Sequence, residues 1–407
     1  MRIKAFCGLI PAEGRVEGVA AVPYDVVTTE EAAALAGDQP NNLLHVDRAE
    51  IDLPMGTDPY SNAVYERAVE NFRRLQDEGV LVREREPALY LYRQIMGDHS
   101  QTGLVAACHI DDYADDIIRK HEKTRKVKED DRTRLVDALS ANTGPIFLTY
   151  RNRDDLTALA AGITERESPL FDFTADDGVR HIVWRVTEMA AAFTERFRDV
   201  PLAYVADGHH RSASAFRVGS ERRARNPAHD GCEEYNWFLG VLFPGSELKI
   251  LPYNRTVADL NGLTEGALLE KIGSVATIAP ADGPAPAAPG TVHMYLGGTW
   301  HAVQFPPPES PDPVDSLDVS LLQQTVLEPI LGIDDPRTNE RIDFVGGIRG
   351  AAFLEARVDS GNAAVAFSLF PVTVEQLMAI ADAGQIMPPK STWFEPKLRS
   401  GLVVQTF

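Results

Sequence analysis

Residues 202–215 read Leu-Ala-Tyr-Val-Ala-Asp-Gly-His-His-Arg-Ser-Ala-Ser-Ala. A short apolar strand delivers one carboxylate, Asp207. Gly208 follows, then three potential cations in His209, His210 and Arg211, and then Ser212 at the mouth of a helix. A helix N-terminus presents unpaired N–H groups and a partial positive charge, so anions settle there. Gly208 lets the chain turn tightly or lets a ligand approach the backbone. The histidines and the arginine add charge-assisted donors, and the planar fork of Arg211 suits bidentate contact with phosphate. An N-capping aspartate followed by surface polar residues is the plain structural reading, but a cap needs neither paired histidines nor an arginine. Joint metal chelation by the two histidines is awkward, because adjacent side chains on a turn diverge. The turn therefore reads as an anion site, with no metal ligand assigned.

Four other segments carry residues capable of chemistry. Arg119, Lys120, His121, Glu122, Lys123, Thr124, Arg125, Lys126 and Lys128 form a basic run inside an acidic chain. The local reversal of sign favours an anion funnel, in which Lys123 and Arg125 meet the ligand; a solvated helix face is the alternative. His121 and Glu122 are acid–base candidates there, and Glu122 is equally a salt-bridge partner. Gly346 and Gly347 beside Arg349 permit close approach to a ligand or make a plain tight turn. The stretch from Met387 to Lys397 offers Lys390, Ser391 and Thr392 on a loop stiffened by Pro388 and Pro389; a packed tail anchored by Trp393 and Phe394 is the bland reading. Arg349, Lys390 and Thr392 are thus the substrate-binding candidates. Near the start, Asp25 follows Pro23 and Tyr24, either as a base or as a turn former.

The totals narrow the classes. The chain has 407 residues, 44% apolar and 25% charged, which supports a sizeable core without disulfides or metals. Its formal charge of -20 repels phosphate backbones and anionic lipid, so no nucleic-acid or membrane partner is expected. Cys7, Cys108 and Cys232 form no CxxC pair, which suits a reducing compartment. No signal-peptide core follows Met1, and no apolar stretch approaches the roughly 18–20 residues that span a bilayer, so the cytoplasm is expected. A small-molecule substrate is the partner implied, with a homodimer left open. GxxxxGK[ST], GxGxxG after a strand, HExxH and GxSxG are all absent, which takes support from the usual kinase, Rossmann and hydrolase readings.

The elements that must position these residues alternate between strand-like and helix-like runs, giving an α/β (mixed α+β) fold. Strands are expected at 3–7, 43–46, 88–96, 104–110, 145–150, 179–186, 202–206, 237–243, 248–253 and 363–370. Helices are expected at 60–78, 187–198, 212–218 and 320–331, with a charged helical stretch from about Tyr113. Thr28 with Glu31, and Thr373 with Gln376, form capping boxes for two more. Gly297 and Gly298 join a hairpin between 292–296 and 300–305. Proline-rich excursions at 279–290 and 306–313 suggest three units: 1–150, 151–278 carrying the Asp-Gly-His-His-Arg turn, and 279–407.

Taken together, Pro23-Tyr24-Asp25-Val26, His121-Glu122-Lys123-Thr124 with Asp131-Arg132, Ala206-Asp207-Gly208-His209-His210-Arg211, Phe344-Val345-Gly346-Gly347 and 387–398 resemble a family catalogued as domain of unknown function 1015. That name implies no activity. The central turn alone resembles the phosphate-binding motif of the ParB/sulfiredoxin-like fold and its free-serine kinases. The resemblance implies a phosphate-binding core elaborated by additional mixed-sheet units. Mapped by motif, His209, His210 and Arg211 would hold phosphate, with Gly208 and Ser212 in the same cradle. Asp207 would orient the acceptor or assist its deprotonation. A remote carboxylate would activate the acceptor, with Asp25 and Glu122 as candidates. Sulfinic-acid reduction is argued against, because His209 stands where the sulfiredoxin motif requires cysteine.

The expected function is phosphoryl transfer from ATP, ADP or pyrophosphate, accompanied by magnesium, to a small hydroxylated acceptor, with free L-serine favoured. A nucleotide-sensing or partner-binding module using the same turn without turnover is the first rival. Metal-dependent hydrolysis at Asp207 and the histidines is the second.

Overall fold

The computed structural model describes residues 1–308 and 312–407. The described chain forms two compact units, one made of residues 1–248 with 396–407 and the other of 249–395. The expected three-way division does not coincide with this. A cut after Tyr150 would split a sheet, because Ile146–Tyr150 is hydrogen-bonded on both sides, to Ala203–Asp207 and to Trp237–Pro244. A cut at 278 falls inside Thr277–Pro280, which pairs with Thr299–Gln304. Of the excursion expected at 306–313, residues 309–311 lie outside the described residues.

The first unit is built on a mixed nine-stranded sheet. Its strands are β1 (Ile3–Lys4), β2 (Leu89–Met96), β3 (His99–His109), β4 (Ile118–Arg119), β5 (Ile146–Tyr150), β6 (Phe171–Thr174), β7 (Arg180–Val186), β8 (Ala203–Asp207) and β9 (Trp237–Pro244). The order is β4-β8-β5-β9-β3-β2-β7-β6, with β1 also on β3. β8 runs parallel to β4 and β9 parallel to β5, while the remaining pairs are antiparallel. The central strands β5, β8 and β9 are apolar runs buried on both faces, as strands flanked on two sides must be. One core contains Leu91, Leu148, Val205, Phe197, Phe238 and Leu242.

A second core gathers the helices. The capping box of Thr28 and Glu31 starts α1 (Thr29–Ala36), and the amphipathic α2 (Asn62–Asp77) and α3 (Lys126–Leu139) join it through Ala32, Phe72, Leu75 and Leu135. Residues 43–46, expected as a strand, are helical instead: Leu44–Asp47 is one turn whose Leu44 N–H is held by Asn42 Oδ1. A four-residue apolar run fits either state, and here packing in the helical core decides. The charged stretch after Tyr113 is also broken up. It contains Ile110–Ala114, strand β4, an irregular loop at 120–125 and then α3.

The second unit is an antiparallel six-stranded sheet of β10 (Tyr253–Val257), β11 (Thr277–Pro280), β12 (Thr291–Leu296), β13 (Thr299–Gln304), β14 (Ile342–Gly346) and β15 (Val365–Ser368), ordered β11-β13-β12-β15-β10-β14. The Gly297–Gly298 hairpin and the Thr373/Gln376 capping box are both present. The helix expected at 320–331 is an α-turn at Asp318–Leu322 that continues as a π-turn at Gln323–Leu327. Where the chain enters and leaves this unit, Lys249–Leu251 pairs with Trp393–Glu395, so the unit is an insertion closed at its base by two strands. No described helix is long and apolar enough to cross a membrane.

Each unit has its own buried anchors, so truncating one should weaken one transition. Phe197→Ala and Leu354→Ala, both at positions with 0% exposure, should each cost about 2–5 kcal/mol. The two-unit division predicts that in urea unfolding followed by fluorescence each shifts a different phase. Equal shifts of a single transition by both would contradict it.

Candidate functional site

The turn that follows β8 is shaped by a bulge. Val205 pairs with Leu148, but Asp207, two residues on, pairs with Phe147, leaving Ala206 as the extra residue. A bulge bends and twists its strand and re-aims the next side chain, so Asp207 leaves the sheet at its end. Gly208 then takes φ +93° and ψ 33°, a left-handed conformation that side chains disfavour. A Cβ at Gly208 would lie 3.1 Å from Arg211 Nε and 3.3 Å from Nη2.

The helix starts earlier than its apolar pattern suggests: α4 spans His209–Arg225, so His209, His210 and Arg211 occupy its first turn. The N–H of Ser212 makes the first intrahelical bond, to Gly208 O, and no side chain caps the turn. The first turn contains no acidic residue. Three N–H groups and the positive end of a 17-residue helix thus face the turn.

Arg211 is nine-tenths buried. Its Nη1 donates to the carbonyl of Pro145, and Nη2 lies 3.9 Å from both Asp25 Oδ2 and Asp207 Oδ2, while Nε has no protein partner. Asp207 accepts from Gly208 N–H (2.8 Å) through Oδ1 and from Lys397 Nζ (3.1 Å) through Oδ2. Burial alone would raise the Asp207 carboxyl, but the charges of Lys397 and Arg211 and these hydrogen bonds hold it well below the ordinary carboxylate range. Beside Arg211 lies a small cavity of about 30 Å³, walled in part by Tyr24, Asp47, Arg132, Asn142 and Thr143. Burial pushes the Asp47 carboxyl up, against a hydrogen bond from Thr143 (2.5 Å). Arg132 is clamped by Asp131 (2.7 Å) and by the backbone carbonyl of Asp47 (3.0 Å), and it lies 4.1 Å from the centre of the Tyr24 ring.

The histidines enter as neutral groups, which corrects the expectation of three cations. His209 and His121 are both buried, with Nε2 atoms 3.4 Å apart and rings at 90°, and neither Nδ1 has a partner. Burial lowers His121 to about 4 and His209 well below its ordinary value, with the mutual repulsion of the pair adding to the latter. His210 Nε2 accepts the N–H of Arg125 (3.0 Å), so its proton sits on Nδ1; burial lowers it as well. The two histidine contacts fasten the 120–125 loop to the start of α4. That loop carries Lys123 and Arg125, both exposed, and Glu122, whose Oε2 is 4.0 Å from His209 Nε2.

The remaining candidates divide between the two units. Ser212 is fully buried and its hydroxyl donates to His209 O, so it props up the turn rather than lining it. Arg349, Lys390 and Thr392 belong to the inserted unit. Arg349 lies 4.9 Å from the Phe353 ring centre and Lys390 5.4 Å from that of Tyr253. Gly346 and Gly347 are explained by packing, since a Cβ would meet Trp393 at 2.8 Å and Pro252 at 2.7 Å. Lys397, Asp47, Arg132 and Thr143 were not assigned roles from sequence. Arg132 and Lys397 stand inside the quoted motifs without an assigned role, and nothing marks Asp47 or Thr143.

The buried histidines make stability depend on pH. The native state prefers neutral His121, so its contribution is complete above the unfolded value of about 6.5 and is lost as pH falls towards about 4. His121→Gln should flatten the fall in urea midpoint between pH 6.5 and 4. A variant with the slope of the parent would contradict this.

No curated protein matches the chain. Among solved structures, SbnI with a C-terminal truncation from Staphylococcus aureus shares 12% identity, covering 72% of this chain and 82% of that one, with a TM-score of 0.38. A conserved hypothetical protein from Pyrococcus furiosus shares 14%, covering 73% and 93%, with a TM-score of 0.34. A free serine kinase in complex with AMP shares 12%, covering 73% and 92%, with a TM-score of 0.37. A family described as protein of unknown function, DUF1015, matches residues 3–320, and the chain belongs to it.

Proposed function

We propose that this chain is a small-molecule phosphotransferase that moves a phosphoryl group from a nucleotide or pyrophosphate to a small hydroxylated acceptor, with free L-serine the favoured acceptor. One observation carries the reading. The Nε–Nη2 edge of Arg211, buried and with Nε lacking a protein acceptor, lies over Gly208 beside the uncapped first turn of α4. A buried N–H without an acceptor is costly, and an oxyanion seated at the turn would satisfy it together with the helix N–H groups.

The chemistry asks mostly for positioning and charge neutralisation. The acceptor's hydroxyl oxygen attacks the terminal phosphorus. The bond from that phosphorus to the bridging oxygen breaks, its electron pair leaving with the donor, and the hydroxyl proton passes to a carboxylate. Asp25 is exposed and stands 3.9 Å from Arg211, which suits it to that role; Glu122, beside His209, is the second candidate. Among the described residues no group of three or more His, Cys, Asp or Glu gathers for a metal. Magnesium would travel on the donor's phosphate oxygens and would neutralise phosphoryl charge.

Incubation with ATP, ADP or pyrophosphate, magnesium and a panel of amino acids, followed by phosphorus NMR, should give a new phosphomonoester resonance, strongest with serine. Saturable nucleotide binding without product over hours would favour a sensing module instead, and absence of binding would sink both. Arg211→Ala should weaken donor binding about 100-fold while leaving the fold intact. Gly208→Ala should lose about 1–2 kcal/mol of stability through the forced left-handed residue and should also weaken donor binding, since its Cβ presses on Arg211. Both are read by calorimetry and thermal unfolding.

A further inference from the structure

Lys397 reaches Asp207 from the far end of the sequence, 190 residues away, and its side chain is only 16% exposed. The backbone around it is held by hydrogen bonds from buried side chains of the sheet. Gln94 and Gln101, on the hydrogen-bonded strands β2 and β3, both have 0% exposure. Gln101 Nε2 donates to Gln94 Oε1 (3.0 Å), and Gln94 Nε2 donates to the carbonyl of Lys397 (2.9 Å). Two residues further on, the Arg399 N–H donates to Tyr92 Oη (3.4 Å) and Arg399 Nε to His181 Nε2 (3.3 Å). Burying two primary amides is tolerable only when they are bonded, and this pair runs from His99, whose Nε2 lies 3.2 Å from Gln101 Oε1, to the carbonyl of Lys397.

Asp207 joins the two sides of the turn. One carboxylate oxygen is on the Gly208 N–H at the helix entrance and the other is on Lys397 Nζ, so the ammonium stands one carboxylate away from the Arg211 cradle. A carboxylate bridging two donors and an arginine is a poor proton acceptor but a good positioning group.

We propose that Lys397 is a phosphate-binding residue of this site and that Asp207 is the hook that aims it, so that the site takes donors carrying a phosphoanhydride in preference to monophosphates. This rests on the phosphotransferase reading above. One phosphate sits on the first turn of α4 and Arg211, and the neighbouring one meets Lys397. Lysine acts here as a point charge, arginine as the oriented fork.

The experiment measures binding of AMP, ADP, ATP and pyrophosphate by titration calorimetry to the full chain, to Lys397→Ala and to the double variant Asp207→Asn/Lys397→Met. The double variant removes both charges together and so avoids stranding the carboxylate. Thermal unfolding identifies any variant that fails to fold. In both variants ATP, ADP and pyrophosphate should bind about 10- to 100-fold more weakly, with AMP changed by less than about threefold. Unchanged ATP affinity in a folded variant would overturn the proposal while leaving the phosphotransferase reading standing, and so would an equal loss for AMP and ATP. A wild-type chain that binds none of the four would overturn both. For Asp207→Asn alone, a hook predicts a raised donor KM with the acidic limb of the pH–rate profile retained. A collapse of kcat with KM unchanged and that limb abolished would make Asp207 the base and overturn its assignment as a hook.

Discussion

A positive charge taken out of water and left incompletely paired organises this protein's central turn. Arg211 is buried at the start of a long helix, where the helix's own dipole adds to its charge. Two carboxylates stand near it at 3.9 Å, beyond hydrogen-bonding distance. Such a centre is stable only if the protein surrounds it with groups that tolerate or offset positive potential. Pro145 offers a carbonyl, Asp207 a carboxylate held in its ionised form, and His209 and His210 imidazoles that remain neutral. The neutrality of the histidines follows first from their burial, which lowers both, with the charge of Arg211 adding a little at His209.

The sheet supplies the rigidity that this electrostatic arrangement needs. β8 lies between β4 and β5, and the single-residue bulge at Ala206 converts a straight strand into one whose last side chain leaves the sheet. Without the bulge the alternation of side chains would put the next carboxylate on the other face. Gly208 completes the change of direction by adopting a backbone conformation that a side chain would resist. Local rules of strand and helix are thus broken in two consecutive places, both of them at the turn.

Much of this was legible in the sequence, for identifiable reasons. The Asp-Gly-His-His-Arg turn was visible because strand, glycine and helix signals abut there. Capping boxes at Thr28 and Thr373 and the Gly297–Gly298 hairpin were visible because each depends on neighbours within a few residues. The mixed α/β character followed from alternating periodicities. What was hidden depends on distant partners. The run at 43–46 is helical because of its place in a packed core. The unit boundaries could not be read, because the insertion begins and ends at two short strands, far apart in sequence, that find each other only in the fold. Neutral histidines looked like cations because burial leaves no mark on a local motif. Lys397 and Asp47 were missed for the same reason: each acquires its meaning from residues 190 and 96 positions away.

The insertion has a bearing on how the protein is made. Asp207 and the helix that follows leave the ribosome well before the inserted unit is translated, and the lysine that neutralises that carboxylate is encoded after the whole of it. A nascent chain therefore carries Asp207 without its lysine through the synthesis of 190 further residues. Only when Lys397 has been made can Asp207 gain the ammonium that helps to hold it ionised. The pairing of that carboxylate then becomes a late event in biogenesis, and partial translation products are left without it.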